Sequence, residues 1–89
     1  MTGKRISTEQ VRVMAVFTSE PKSWFDGNQV ERRTEVPAST VRHFRFTFLQ
    51  LGLLERVEVH GRYRYRLSIN AEAQPYFRRL QEAAAAMKP

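Results

Sequence analysis

Residues 29–54 read QVERRTEVPASTVRHFRFTFLQLGLL, and this segment is the most informative about the fold. Its pattern predicts a short helix over 27–34, a turn, and a second helix over 38–51. Pro37 suits the start of a helix, where its missing N–H goes unused. Gly52 suits the end of a helix, where a left-handed conformation is wanted. Two helices joined by so short a turn are typical of a helix-turn-helix.

Residues 44–48 alternate apolar and polar side chains as a strand does, but the helix is favoured. The reason is an apolar stripe at helical spacing that lies between the two end signals. The stripe consists of Val41, Phe44, Phe48 and Leu51. The side chains predicted to point away from the core are those of Ser39, Arg42, His43, Phe46 and Gln50.

A β-hairpin is predicted directly afterwards, over 55–68, because apolar and basic residues alternate there. A loop of two residues would put the apolar residues of the two arms on different faces. A loop of three residues sets Val59 opposite Tyr63 and Val57 opposite Tyr65, so burial of one face favours it. The residues of this loop are His60, Gly61 and Arg62. The solvent face would hold Arg56, Glu58, Arg64 and Arg66.

Capping signals predict where the first two helices begin. Ser7 and Gln10 have the spacing of a capping box, which predicts a helix over 8–18. Asp26 and Gln29 repeat this pattern before the helix over 27–34.

The remaining segments supply a bridge and a last helix. Residues 24–25, Trp-Phe, form a short apolar pair that suits a first β-bridge. The hairpin over 55–68, called the wing below, would then have two or three strands. Asn70 is predicted to cap a helix over about 71–87. The apolar stripe of that helix consists of Tyr76, Phe77, Leu80, Ala83, Ala84 and Met87.

Length and composition predict a single α+β domain over 1–89, with the helices and wing over 7–70 and the C-terminal helix over 71–87. The chain has no cysteine, no apolar run near the ~20 residues that a membrane helix needs, and no apolar signal segment at its N-terminus. His43 and His60 are too few for a metal site, and no catalytic pattern is present. We therefore expect a cytoplasmic protein that is not an enzyme, needs no cofactor and does not associate with membranes.

Positive charge is concentrated in the predicted helix-turn-helix and hairpin. The net charge is +6, and 12 of the 15 Lys and Arg residues are Arg. Residues 31–66 hold eight Arg and four Asp and Glu, which gives 8 − 4 = +4. The planar guanidinium donates to phosphate and to guanine edges in a way that lysine does not match. This placement predicts double-stranded DNA as the partner.

The second helix of the pair is predicted to enter the major groove. Ser39 and Thr40 lie at its start, where N–H groups and hydroxyls hold a phosphate. Arg42 and His43 follow on the outward side, within reach of base edges. Arg45 and Phe46 are assigned to the same surface.

In the wing, Arg62 and Arg64 are predicted to bind a backbone phosphate or to enter the minor groove. Arg62 is preferred over Arg66, which lies farther from the tip. Two assignments have an alternative. Arg64 could pair with Glu58 across the strands. For Phe46, partial burial against a neighbouring element is favoured over contact with a thymine methyl.

The sequence resembles the winged helix-turn-helix of bacterial transcriptional regulators such as the MarR, ArsR and IclR families. Residues 29–34 are similar to their second helix, 37–41 to the start of the recognition helix, 51–54 to the hinge into the wing, and 61–67 to the returning strand. The resemblance covers about residues 8–70. It implies a small repressor or activator that binds a specific DNA sequence, with no evident small-molecule effector.

The last helix is predicted to form a homodimer interface, with a lid over the core as the alternative. A two-fold dimer would read an inverted repeat. Another class of function stays open, because winged helices also serve as protein–protein interaction modules. Binding of structured RNA has less support, since no aromatic stacking platform is evident.

Overall fold

The computed structural model describes residues 6–87, which form four α-helices and one two-stranded antiparallel sheet. The helices are α1 (Thr8–Ser19), α2 (Gly27–Thr34), α3 (Ala38–Gln50) and α4 (Pro75–Ala86), and the strands are β1 (Leu54–Val59) and β2 (Arg62–Leu67). This order confirms the predicted helix-turn-helix, β-wing and C-terminal helix. The two ends of the predicted domain lie outside the described residues. None of these four helices is long and apolar enough to cross a membrane.

Both predicted capping boxes are present, and they fix where α1 and α2 begin. The Ser7 hydroxyl accepts from the Gln10 N–H at 3.2 Å, and the Gln10 side chain accepts from the Ser7 N–H at 3.0 Å. The Asp26 carboxylate and the Gln29 side chain each accept from the other residue's N–H at 2.9 Å. Each box satisfies N–H groups that a helix start leaves unpaired.

Glu35 makes the turn between α2 and α3 in the left-handed conformation, with φ of 61°. Its N–H donates to the Glu31 carbonyl at 2.7 Å, which closes the last turn of α2. The Thr34 hydroxyl donates to the Val30 carbonyl at 2.7 Å and accepts from the Val36 N–H at 3.2 Å. The side chains of Thr34 and Val36 are buried, so the turn is held from inside.

The core lies between the helices and the base of the hairpin, and its largest fully buried side chains come from several segments. They include Phe17 of α1, Phe25 of the loop before α2, Phe48 of α3 and Leu53 of the segment before β1. The rings of Phe17 and Phe25 meet edge to face with their centroids 5.6 Å apart, a favourable aromatic geometry.

The predicted stripe of α3 is correct up to Phe48, but its last member is wrong. Leu51 is 39% exposed. The helix stops before it, and Gly52 takes the expected left-handed conformation with φ of 78°. Leu53, which follows this turn, is buried in the core, whereas Leu51 is not.

The hairpin has a two-residue turn, so the predicted three-residue loop is wrong. His60 and Gly61 have φ of 52° and 76°, and Val59 pairs with Arg62 instead of Tyr63. Positive φ at both positions is typical of a type I′ turn, whose twist matches that of the flanking strands.

This register puts the apolar residues of the two arms on different faces. Leu54, Tyr65 and Leu67 share the face that meets the core, whereas Val57 lies on the other face, opposite Arg64 instead of Tyr65, and is 38% exposed. Only the base of the hairpin contacts the core, so the turn, and not burial, sets the register. The predicted solvent face is therefore also wrong: Arg56 and Glu58 lie on the face opposite to Arg64 and Arg66.

Phe25 forms the predicted β-bridge, and its partner is Tyr65. The N–H of each residue donates to the carbonyl of the other at 2.8 Å. The bridge ties the wing to the segment that leads into α2, so the wing is anchored beside the helix-turn-helix.

The prediction that Asn70 caps a continuous helix over 71–87 is wrong. Ala71–Ala73 form a 3₁₀ turn, Gln74 is extended, and α4 begins at Pro75. Proline disfavours helix in the preceding residue but fits the first helical position. The Asn70 side chain makes no capping hydrogen bond.

Candidate nucleic-acid interface

The outer face of α3 presents polar and basic side chains to solvent. Ser39, Arg42 and His43 are exposed, and Thr40 is half-buried. Phe46 is 53% exposed, so its ring stands among them with more than half of its surface free. This confirms the predicted direction of the outward set and leaves donors, acceptors and an apolar ring along one side of the helix.

The start of α3 differs from the starts of α1 and α2. Its N-cap is Pro37, and no side chain caps it. The first N–H groups of a helix have no partner within the helix, and here no side chain satisfies them. They lie beside the exposed hydroxyl of Ser39.

Arg45 lies between α3 and the wing instead of pointing freely outward. It is half-buried, and its guanidinium carbon is 4.6 Å from the centroid of the Tyr65 ring. It also packs against Gly27, where a Cβ atom would stand 3.2 Å from that carbon. Its Nε is buried and has no hydrogen-bond partner among the described residues.

The arginines of the wing fall into two groups. Arg62 and Arg64 are exposed. Arg66 donates to Glu55 across the strands at 3.0 Å and stacks over Trp24 at 4.3 Å. The alternative of Arg64 pairing with Glu58 is wrong, because the register sets Glu58 opposite Tyr63.

A cleft of about 300 Å³ separates α3 from the wing. Arg42, Arg45 and Arg62 line it together, with Asp26 and Glu31 as its acidic residues. Its other lining residues are Gly27, Asn28, Ala38, Val41, Tyr63 and Tyr65. Arg42 and Arg62, the first and last of these three arginines in the sequence, are 20 positions apart. The fold brings all three to one cleft.

Sequence reasoning missed the contribution of α4 to this side of the molecule. A groove between α3 and α4 is lined by His43 and Gln50 on one side and by Tyr76 and Arg79 on the other. The Gln10 side chain donates to the Tyr76 hydroxyl at 2.9 Å, which links α1 to α4 at its edge. No local pattern in the sequence indicates which face of α4 lies next to α3.

Arg33 is a basic residue of the helix-turn-helix, but its side chain interacts with other residues of the protein. It donates to Glu20 at 3.0 Å and lies over the Phe25 ring at 4.9 Å. The hydrogen bond from Arg33, followed by its charge, holds the pKa of the Glu20 carboxyl below its usual value.

The residues of the apolar stripe predicted for the last helix are divided between the core and the surface. Phe77 and Leu80 are each 2% exposed and belong to the core. Tyr76, Ala83 and Ala84 are half-buried, and Met87 is 45% exposed. A shallow groove of about 240 Å³ runs between α1 and α4 beside Ala84.

The structure groups no metal-binding side chains within residues 6–87, where no set of three or more His, Asp and Glu could hold an ion. His43 lies on α3 and His60 in the hairpin turn.

Several solved structures share this architecture. A protein from Methanosarcina mazei, described as a possible transcriptional regulator, matches 91% of this chain and 72% of its own with a TM-score of 0.68 and 19% identity. A MarR-family transcriptional regulator from Silicibacter pomeroyi matches 91% of this chain with a TM-score of 0.65 and 20% identity. The match spans 56% of that regulator, little more than half its length.

A third similar structure is a mutant of MepR from Staphylococcus aureus bound to an oligodeoxyribonucleotide. It matches 94% of this chain and 67% of its own with a TM-score of 0.64 and 14% identity. No protein-family model and no curated protein matches the sequence. The likeness shows that the fold is the winged helix found in MarR-type regulators.

Proposed function

We propose that this protein binds double-stranded DNA sequence-specifically and acts as a small transcriptional regulator. The observation that carries the proposal is the cleft that Arg42 of α3 and Arg62 of the wing line together. Two elements that fit neighbouring parts of a duplex thereby present positive charge on one side of the molecule. The DNA-bound MepR mutant, a protein of the same fold, supports this choice of partner.

Within this proposal α3 lies in the major groove. The uncapped N–H groups at its start, together with Ser39 and Thr40, hold a backbone phosphate. Arg42 and His43 read base edges, and the exposed ring of Phe46 contacts a thymine methyl. Arg62 and Arg64 of the wing contact the backbone or the minor groove.

We further propose that the protein acts as a homodimer through α4. Phe77 and Leu80 are already enclosed in the protomer, so the partner surface consists of Tyr76, Ala83, Ala84 and Met87. A two-fold dimer sets two recognition helices about 34 Å apart, which matches successive major grooves. The operator would then be an inverted repeat.

Selection from a random-sequence duplex library tests the DNA proposal, because the library contains every short operator sequence. Enrichment of one motif, bound far more tightly than unrelated duplex and with strong salt dependence, is expected. Failure to enrich any motif, with no salt-dependent binding, would reject it in favour of the protein-interaction alternative. In that case binding of a partner should depend on Phe46 and tolerate Arg42→Ala.

Sedimentation of the full-length protein tests the dimer. Truncation before α4 is unsuitable because Phe77 and Leu80 complete the core. Ala84→Asp and Met87→Asp place charge on the proposed partner surface instead, with Glu82→Asp as a control on an exposed position of the same helix. Dimers that dissociate only in the first two variants are expected, and a wild-type monomer both free and on DNA would refute the dimer.

A further inference from the structure

We infer that the cleft between α3 and the wing is a binding site for one phosphodiester of the DNA backbone, held by Arg45 and Arg62 together. The inference rests on the proposed function and deepens it. Two arginines from different elements bind the same ligand, and Arg42 adds positive potential at the same cleft.

Arg45 is held in place before any ligand arrives. Its guanidinium lies close to the Tyr65 ring, at 4.6 Å, and also close to the backbone of Gly27. Stacking on an aromatic face is favourable for a guanidinium. Because the side chain is already ordered, little further entropy is lost when a ligand binds.

The charge of the cleft is not neutralised by direct ion pairs. Within residues 6–87, Arg42, Arg45 and Arg62 have no carboxylate within 4.0 Å, whereas Arg33 and Arg66 each pair with a glutamate at 3.0 Å. Arg45 is also half-buried and its Nε lacks an acceptor. A partly dehydrated cation without a counter-ion is costly, and an anion in the cleft offsets that cost.

The charge balance of the cleft favours a diester over free phosphate. Three arginines against Asp26 and Glu31 give 3 − 2 = +1, which matches the single charge of a phosphodiester. The Asp26 carboxylate accepts from the Gln29 N–H, whereas the Glu31 carboxylate accepts no hydrogen bond within residues 6–87. Two guanidinium groups can each donate to the non-bridging oxygens of one phosphate.

A phosphate held in this way would connect the wing to α3. Arg45 belongs to α3 and Arg62 begins β2. DNA binding would therefore fix the wing relative to the recognition helix, in addition to the bridge between Phe25 and Tyr65.

Three variants test the site against a mixed-sequence duplex, since phosphate contacts do not depend on sequence. Arg45→Met keeps the apolar stem and removes the charge. It should lower affinity on the order of tenfold, and it should reduce the slope of log affinity against log salt concentration, the salt slope, by about one. Gly27→Ala keeps every charge but displaces the guanidinium, and it should lower affinity several-fold. Glu31→Gln removes an opposing charge and should raise affinity. Arg78→Ala, an exposed arginine of α4 outside the cleft, is the matched control for net charge.

Unfolding by urea shows whether each variant remains folded. Gly27 is a helical residue without positive φ, so alanine there is compatible with its backbone. If Gly27→Ala and Glu31→Gln leave affinity unchanged and Arg45→Met behaves as Arg78→Ala, the inference fails while the proposed function stands. If wild-type protein binds no duplex, both fail.

A titration with small phosphates distinguishes the source of the ligand. Dimethyl phosphate should shift the Nε–H resonance of Arg45 in wild-type protein, and should do so only at several-fold higher concentration in Gly27→Ala. A response to inorganic phosphate alone would overturn the diester assignment and indicate a site for a free anion.

Discussion

The guanidinium carbon of Arg45 lies 4.6 Å from the centre of the Tyr65 ring, and this contact joins α3 to the face of the wing that meets the core. Tyr65 is also the bridge partner of Phe25 and is itself buried. One aromatic residue therefore positions the wing, the loop before α2 and an arginine of the proposed DNA surface.

We expect Arg45 and Tyr65 to be energetically coupled. In a double-mutant cycle, Arg45→Met and Tyr65→Leu should show a coupling energy of roughly 0.5–1 kcal/mol in the free energy of unfolding. The reason is that the stacked pair lies partly out of solvent, where a cation over a ring gains more. Urea unfolding of the four proteins measures it, and strictly additive effects would contradict the contact.

Arg42→Ala and His43→Ala should each weaken binding to the selected sequence by roughly 1–3 kcal/mol. Both side chains are exposed, so the free energy of unfolding should stay unchanged. Fluorescence anisotropy with selected and unrelated duplexes checks this. An equal loss on both duplexes would mean that these residues contact only the backbone.

Removing Arg62 should affect DNA binding more than removing Arg66. Arg62→Ala is expected to weaken binding on all sequences and to reduce the salt slope by about one phosphate's worth. Arg66→Ala should act mainly on stability, because Arg66 is engaged with Glu55 and Trp24. A loss with Arg62→Ala confined to the selected sequence would instead indicate readout of bases or of groove shape.

Glu35→Gly should stabilise the protein by roughly 0.5–1 kcal/mol. The turn needs φ of 61° at this position, which costs a residue with a Cβ about 1–2 kcal/mol, part of which is offset by the greater unfolded-state entropy of glycine. The backbone hydrogen bond to Glu31 is retained. Arg32→Gly, in the regular part of α2, should destabilise by about 1 kcal/mol, and the two urea midpoints should therefore move in opposite directions.

The Glu20–Arg33 pair should give a pH-dependent contribution to stability. Arg33 holds the pKa of Glu20 lower in the folded state than in the unfolded chain. The contribution is therefore present above the ordinary pKa of a glutamate and is lost as the pH falls through the lowered value. Arg33→Ala should raise the pKa of Glu20, as followed by the carboxyl carbon resonance, and Arg32→Ala should leave it unchanged. The pair is exposed, so the effect on stability should be small.

Much of the fold could be predicted because its signals are local. The capping boxes at Ser7 and Asp26 depend on residues three positions apart, and the left-handed Gly52 needs only its own lack of a side chain. The outward direction of Arg42 and His43 follows from helical spacing once the ends of α3 are known.

Local patterns were thus sufficient for α1, α2 and α3 with their starts, for the presence of the wing and for the exposed residues of α3, but not for the start of α4. The prediction misses the register of the wing because it assumes burial of one face. Only the packed fold shows that the hairpin tip lies beyond the core, so that the local turn at His60 and Gly61 sets the pairing. Tertiary packing also brings Arg45 of α3 onto the Tyr65 ring of β2, a contact between residues 20 positions apart in different elements. Such contacts depend on which surfaces the packed elements bring together, and no spacing along the chain encodes them.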